Sequence, residues 1–277
     1  MTTSSAGTSD AAPALSAAAP GLSDLPEPVR ESVAAYLSLV DEALPGEVLG
    51  LYLTGSVPLG DFHLGSSDID AAVILASPLT DPERVRAVHE AMPQTPSFDA
   101  TYLSVDELAL PPDPTRTVVF YQTGELQAET GGPISPVLWS ELARQSIAVR
   151  EAPGLVVHDD HQALEEFTRT NLTSYWTPKL AELETHTAGR PDDEVAPAWI
   201  MPWFVLGIPR LHALLTTGAI VSKTEAGRHA LHHFPEYTPL ITRCLTTRTG
   251  TPETFTIADV APTLTLCRAV ITNALAR

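Results

Sequence analysis

The chain has 277 residues and a mass of 29.6 kDa, enough for two modest domains, each with its own core. Its 34 Asp and Glu against 16 Lys and Arg leave a formal net charge of -18. Such a field repels a phosphate backbone and draws in polycations, so nucleic acid is not an expected partner.

Residues 1–26 are rich in Ala, Ser, Thr and Pro and lack a basic start or an unbroken apolar core. They read as a flexible tail rather than a signal peptide. A helix is predicted from Glu27 to Leu44, with Val29, Val33, Tyr36, Leu37 and Val40 at helical spacing, Pro28 near its start and Pro45-Gly46 as its stop. The following stretch, LGLYLTGSVPLGDFHLGSSDIDAAVIL, runs from Leu49 to Leu75. It reads as a strand at Leu49 to Leu53, a turn at Thr54-Gly55-Ser56, and a second strand in which Ser66-Ser67-Asp68-Ile69-Asp70 leads into the apolar run Ala71 to Leu75.

Asp81-Pro82 opens a second helix, Glu83 to Met92, which Pro93 and Pro96 end. A third strand is predicted at Ser97 to Leu103 and a short one at Thr117 to Tyr121, inside a proline-bearing connection that ends near Gly132. From Ser135-Pro136, an N-cap followed by proline, the pattern turns helical, with Val137, Leu138, Leu142 and Ala143 along one face. Further helices are predicted at His161 to Leu172, Tyr175 to Thr187, Pro197 to Thr217, Lys223 to His233 and Pro262 to Ala276. Prolines and the Gly218 turn divide this half into the pieces of a compact bundle. The domains expected are therefore 27–132 and 133–277. Pro202, Pro209, Arg210 and His212 interrupt the most apolar segment, which argues against a lipid span. Cys244 and Cys267, the only cysteines, have neither metal spacing nor a disulfide framework, so a reducing cytoplasm is the expected setting.

The chemistry concentrates in the turn and the acids. Strand alternation puts Asp68 and Asp70 on one face, where a single hard cation such as Mg2+ can bridge them. Gly55 and Ser56 offer backbone N–H groups to an anion at close range. Asp99, a carboxylate inside an apolar strand, needs a cation or hydrogen-bond donors. Together the three acids suit Mg2+ around a nucleoside triphosphate and in-line displacement at phosphorus, with Asp99 as metal ligand or base. The plainer reading makes Asp68 a turn cap, Asp70 a surface strand end and Asp99 a structurally paired acid.

Gly55-Ser56, Ser67-Asp68-Ile69-Asp70 and the later Asp99 resemble the signature of the polymerase-β-like nucleotidyltransferase superfamily. Residues 205–228, VLGIPRLHALLTTGAIVSKTEAGR, look like the helical C-terminal domain of the aminoglycoside adenylyltransferases that modify streptomycin and spectinomycin. The resemblance implies an α/β nucleotidyltransferase domain with a small mixed sheet and flanking helices, then a C-terminal α-helical bundle. It implies ATP and Mg2+, with Ser56 and Ser67 at the triphosphate, Asp68 and Asp70 on the metal, Asp99 in the place of the catalytic carboxylate, and Arg210 and Lys223 reaching the phosphates from the bundle. Transfer of AMP to a small, cationic, aminoglycoside-type acceptor is the expected reaction, in a monomer or small homo-oligomer. A protein-adenylating enzyme and a non-catalytic nucleotide binder are the alternatives.

The chain departs from that pattern at the acceptor. Asp99 stands where streptomycin-modifying members place glutamate, their stacking tryptophan falls near Leu126, and their acidic drug-binding positions fall near 196–200, where no carboxylate lies. Trp199 and Trp203 offer an aromatic wall there or belong to the core. The 158–161 segment, His-Asp-Asp-His, reads as solvated or capping rather than metal-binding. His229 and His233 read as surface and edge residues. Asp192-Asp193-Glu194 reads as a solvated approach to a helix or as a lining of the cleft.

Overall fold

The computed structural model describes residues 22–276, so residues 1–21 of the expected tail lie outside the described residues. A short 3-10 turn at Leu22–Asp24 and the buried Leu25 lead into α1, Glu27–Ala43. The sheet has six strands: β1 (Val48–Thr54), β2 (Ile69–Leu75), β3 (Phe98–Ser104), β4 (Thr117–Gln122), β5 (Glu125–Thr130) and β6 (Ile147–Arg150), in the spatial order β5-β4-β3-β2-β1-β6. β2 and β3 are parallel and every other neighbouring pair is antiparallel, which makes the sheet mixed. The parallel pair requires a crossover, supplied by α2, Glu83–Ala91.

Side-chain alternation splits the sheet into two faces. Ile69, Ala71, Val73, Phe98, Ala100 and Tyr102 join Val29, Val33, Tyr36 and Val40 of α1 and Val85 and Val88 of α2 in one core. Ala72, Ile74, Leu103, Val118 and Phe120 pack on the other face beneath Trp139 and Leu142 of α4, Pro136–Arg144. A one-turn helix, α3 (Val105–Leu108), follows β3 and is held by a capping box between Ser104 and Glu107. Under the first face Tyr36 donates to the Tyr102 hydroxyl at 2.9 Å. Tyr102 in turn lies 2.8 Å from His89 Nε2, and burial pushes that imidazole down to about 4, so it stays neutral.

The half expected to be mostly helical from Ser135 also contributes to the sheet. α4 does begin at the Ser135 cap, whose hydroxyl accepts from Leu138 N–H, but α4 and β6 complete the sheet layer before the helices take over at His161. Trp139 and Glu141 take the buried face of α4, whereas Ala143, expected there, is exposed.

The bundle consists of α5 (His161–Asn171), a π turn at Leu172–Trp176, α6 (Thr177–Thr187), α7 (Ile200–Thr217), α8 (Lys223–His233), α9 (Thr238–Arg248) and α10 (Val260–Leu275). A two-residue ribbon, β7 (Val195–Ala196) with β8 (Phe255–Thr256), ties its loops. α7 is the central helix: Val205, Leu206 and Ile208 are fully buried against Ile241, Cys267 and Val270. A Cβ at Gly207 would lie 2.9 Å from the Trp176 ring, so only glycine lets α7 approach the π turn this closely. Pro202 and Pro209 do not break α7, in keeping with the single helix expected over 197–217: Pro202 falls in the first turn, and Pro209 is interior. The helix's neighbours bury it on several sides, and tertiary packing outweighs the lost N–H groups. Among the described residues no helix is long and apolar enough to cross a membrane.

Candidate active site

The expected residues converge on one cleft of about 330 Å3 at the ends of β1, β2 and β3, roofed by the bundle. Gly55, Ser56, Ser67, Asp68, Asp70, Asp99, Arg210 and Lys223 all line it. Register explains the acids: Asp70 is the direct neighbour of Asp99 across the parallel β2–β3 pair, so both project from the same face, with Ile69 buried on the other. Asp68 lies one residue outside the strand and is exposed at the mouth of the cleft. Among the described residues, no three His, Cys, Asp or Glu side chains are drawn together closely enough to hold a metal ion on their own. The acids therefore share a cavity without forming a closed cage.

Their charge is poorly compensated. Burial, then the carboxylates of Glu141, Asp99 and Asp68, push Asp70 up to about 7 against the opposing pull of Arg210. Asp99 is raised by burial and by Asp68, while the Ser97 hydroxyl, donating at 2.8 Å, and a Thr123 backbone hydrogen bond hold it down. These are the donors that a carboxylate in an apolar strand requires. Gly55 adopts φ +65°, in the left-handed region, and a Cβ there would run into Asp70 Oδ2. Glycine thus serves both the turn and the approach of backbone to carboxylate.

The bundle presents cations to the acids. Arg210 is anchored by its Nε donating to Val221 O at 3.2 Å, a bond that ties α7 to the turn before α8. Lys223 is the first residue of α8 and half-buried rather than an exposed helix-start lysine. Burial and the neighbouring Arg210 and Arg248 lower its ammonium pKa, and Asp70 and Asp68 oppose them. The Ser222 hydroxyl caps α8 by accepting from Glu225 N–H at 3.1 Å.

Three further residues of the cleft escape sequence reasoning. Glu141 of α4 is 8% exposed and lines the cavity, raised by burial with Arg210 opposing. Its place one residue before the predicted core position Leu142, and three after Leu138, was a usable signal. Asp61 and Arg248 form a buried ion pair, both 6% exposed, with Arg248 Nη2 at 2.8 Å from Asp61 Oδ2. They are 187 residues apart, and nothing local marks either as the other's partner.

Other expected features fall elsewhere. Trp199, 64% exposed, and Trp203 form an aromatic cluster with Tyr175, Trp176 and Phe204 that does not line the cleft, and neither does Leu126 of β5. Asp192, Asp193 and Glu194 are also absent from its lining, and Glu194 pairs with Arg190. In the 158–161 segment, Asp159 pairs with Arg144 and Asp160 caps α5. His229 is half-buried rather than a surface residue: buried His212 lies between it and Asn273, at 2.7 Å from His229 Nε2 and 2.8 Å from Asn273 Oδ1. His233 is exposed, its ring 4.3 Å from that of His229.

Comparison with known proteins bears on both halves. Residues 199–273 match the family model of the aminoglycoside adenylyltransferase C-terminal domain. The whole fold is similar to a spectinomycin adenyltransferase from Enterococcus faecialis, solved with ATP and spectinomycin, with a TM-score of 0.64 and 15% identity over 87% of this chain and 98% of that one. At that identity the likeness speaks for the fold. No curated protein matches at the sequence level. The bundle thus matches the aminoglycoside adenylyltransferase C-terminal domain over residues 199–273, and the fold around the cleft is similar to that of the spectinomycin adenyltransferase.

Proposed function

We propose that the chain is a Mg2+-dependent nucleotidyltransferase that moves AMP from ATP to a hydroxyl of a small cationic acceptor of the aminoglycoside type, releasing pyrophosphate. One observation carries the reading: the in-register carboxylates of Asp70 and Asp99 face Arg210 and Lys223 across a single cleft. An excess of buried negative charge on one wall and cations on the other suit a metal and a polyphosphate between them.

Asp68 and Asp70, with Asp99 completing the set, would hold Mg2+, which when bound supplies neutralisation of phosphate oxygens. Gly55 and Ser56 present N–H groups and a hydroxyl to the phosphates, joined by Ser67. Arg210 and Lys223 clamp the phosphate oxygens from the bundle side of the cleft. The acceptor oxygen forms a bond to the α-phosphorus as the bond to the β-phosphate bridge breaks, and the hydroxyl proton passes to Asp99, which stands in register beside Asp70 on the wall of the cleft. The negative surface favours a cationic acceptor. The free, buried Cys244 and Cys267 fit a reducing cytoplasm.

A screen for pyrophosphate release with ATP and Mg2+ across spectinomycin, streptomycin and other aminoglycosides tests the proposal. Release with at least one acceptor, abolished in Asp70→Asn, is expected. Tight ATP binding without release on any acceptor or candidate protein would instead describe a nucleotide binder.

A further inference from the structure

The Asp61–Arg248 pair joins the two halves of the cleft at a point that the chemistry above does not use. Asp61 sits in the loop between β1 and β2, and its backbone N–H donates to Ser56 O at 2.9 Å. Its carboxylate accepts from Thr224 Oγ1 at 2.5 Å and Thr224 N at 3.2 Å, in the first turn of α8. It also accepts from Arg248 Nε at 3.0 Å and Nη2 at 2.8 Å, at the end of α9. Arg248 Nη2 further donates to Asp61 O at 2.9 Å, and Arg248 O accepts from the Ser66 hydroxyl at 3.2 Å. His63 Nε2 lies 3.0 Å from Asp61 Oδ1.

Ser56 and Asp61 are thus one hydrogen bond apart, Ser67 follows the residue bonded to Arg248, and Lys223 precedes Thr224. We infer that Asp61 is a positioning residue that locks the loop carrying Ser56 and Ser67 to the helix starts carrying Lys223, so that groups from both halves meet the triphosphate in fixed register. This rests on the phosphate-binding role proposed above. Pre-set geometry of this kind lowers the ordering cost of binding. Removing one partner of a buried pair leaves the other charge uncompensated and the joint loose.

The sign of one substitution separates positioning from simple charge. Asp61→Asn makes the cleft more positive, which by Coulomb attraction alone tightens binding of a polyanion. If Asp61 positions the loop, MgATP binding weakens instead. Calorimetry on the full chain is expected to show about a tenfold loss of MgATP affinity in Asp61→Asn, the scale of a lost charge-assisted bond. Amide hydrogen exchange over residues 56–67 is expected to speed up without ligand. Equal or tighter MgATP binding in a folded Asp61→Asn would overturn the inference.

Should Asp61→Asn fail to fold, Thr224→Val, which leaves the ion pair intact, decides. A loss of about threefold in Thr224→Val with wild-type affinity in Thr224→Ser supports positioning, and equal affinity in both overturns it. Wild-type chain that does not bind MgATP overturns this inference and the proposed function together. Wild-type binding with Asp61→Asn unaffected removes this inference alone.

Discussion

The sheet layer and the bundle contribute to the same cleft in different ways. The sheet offers acids fixed by strand register: Asp70 and Asp99 face one another because β2 and β3 run parallel in a defined pairing, and a slip of one residue would turn one of them into the core. The bundle offers cations on helices, Arg210 in the middle of α7 and Lys223 at the start of α8, aimed by a carbonyl contact and a cap rather than by a ladder. The family likeness in sequence covers residues 199–273 of the bundle, whereas the likeness in fold covers 87% of the chain.

This contrast makes the two halves separable in experiment: the acids should govern turnover and the cations should govern nucleotide affinity. The largest expected effect is on the acids, where Asp70→Asn or Asp99→Asn should lower kcat by about 10^3-fold or more in steady-state kinetics. Next comes Gly55→Ala, whose added Cβ meets Asp70 Oδ2 at a positive φ; it should lower kcat/KM by about 10^2-fold and also lower the melting temperature. Arg210→Ala and Lys223→Ala should raise the KM for ATP by about 10-fold to 100-fold with a smaller change in kcat, as expected for lost charged hydrogen bonds. Equal losses of kcat in acid and cation variants would erase the distinction.

The smallest expected effect is on stability. Asp70 titrates at about 7 in the folded chain, above the ordinary aspartate value of about 3.9. The folded state therefore holds this proton more tightly than the unfolded state. The resulting stabilisation is fully present below about pH 4 and is lost as pH rises through about 7. In chelator, the melting temperature should fall between about pH 5 and pH 8, and Asp70→Asn should flatten the profile. A profile equally steep in Asp70→Asn would assign the dependence to another group.

What was legible in the sequence follows the same division. That the acids and the Gly55-Ser56 turn meet could be read because strand period and glycine chemistry act over a few residues. β5 and β6 escaped because both are edge strands: no residue of β5 is fully buried, and β6 has only four residues, so neither shows the alternation of a half-buried strand. α9 escaped because Thr238-Pro239 and a run of β-branched residues look unhelical until Leu240, Ile241 and Cys244 are buried in the bundle. α7 could be read through its two prolines because its apolar residues keep helical spacing over 197–217. Glu141 carried a periodic signal, whereas Asp61 and Arg248 meet only through tertiary structure.

The most direct test of the shared-ion claim is a crystal structure of the chain with Mg2+ and a non-hydrolysable ATP analogue. The expected result is a metal ion coordinated by Asp68, Asp70 and phosphate oxygens, with Asp99 within reach and Arg210 and Lys223 on the phosphates. A nucleotide seated away from these acids, with Asp70 and Asp99 free of metal, would contradict it.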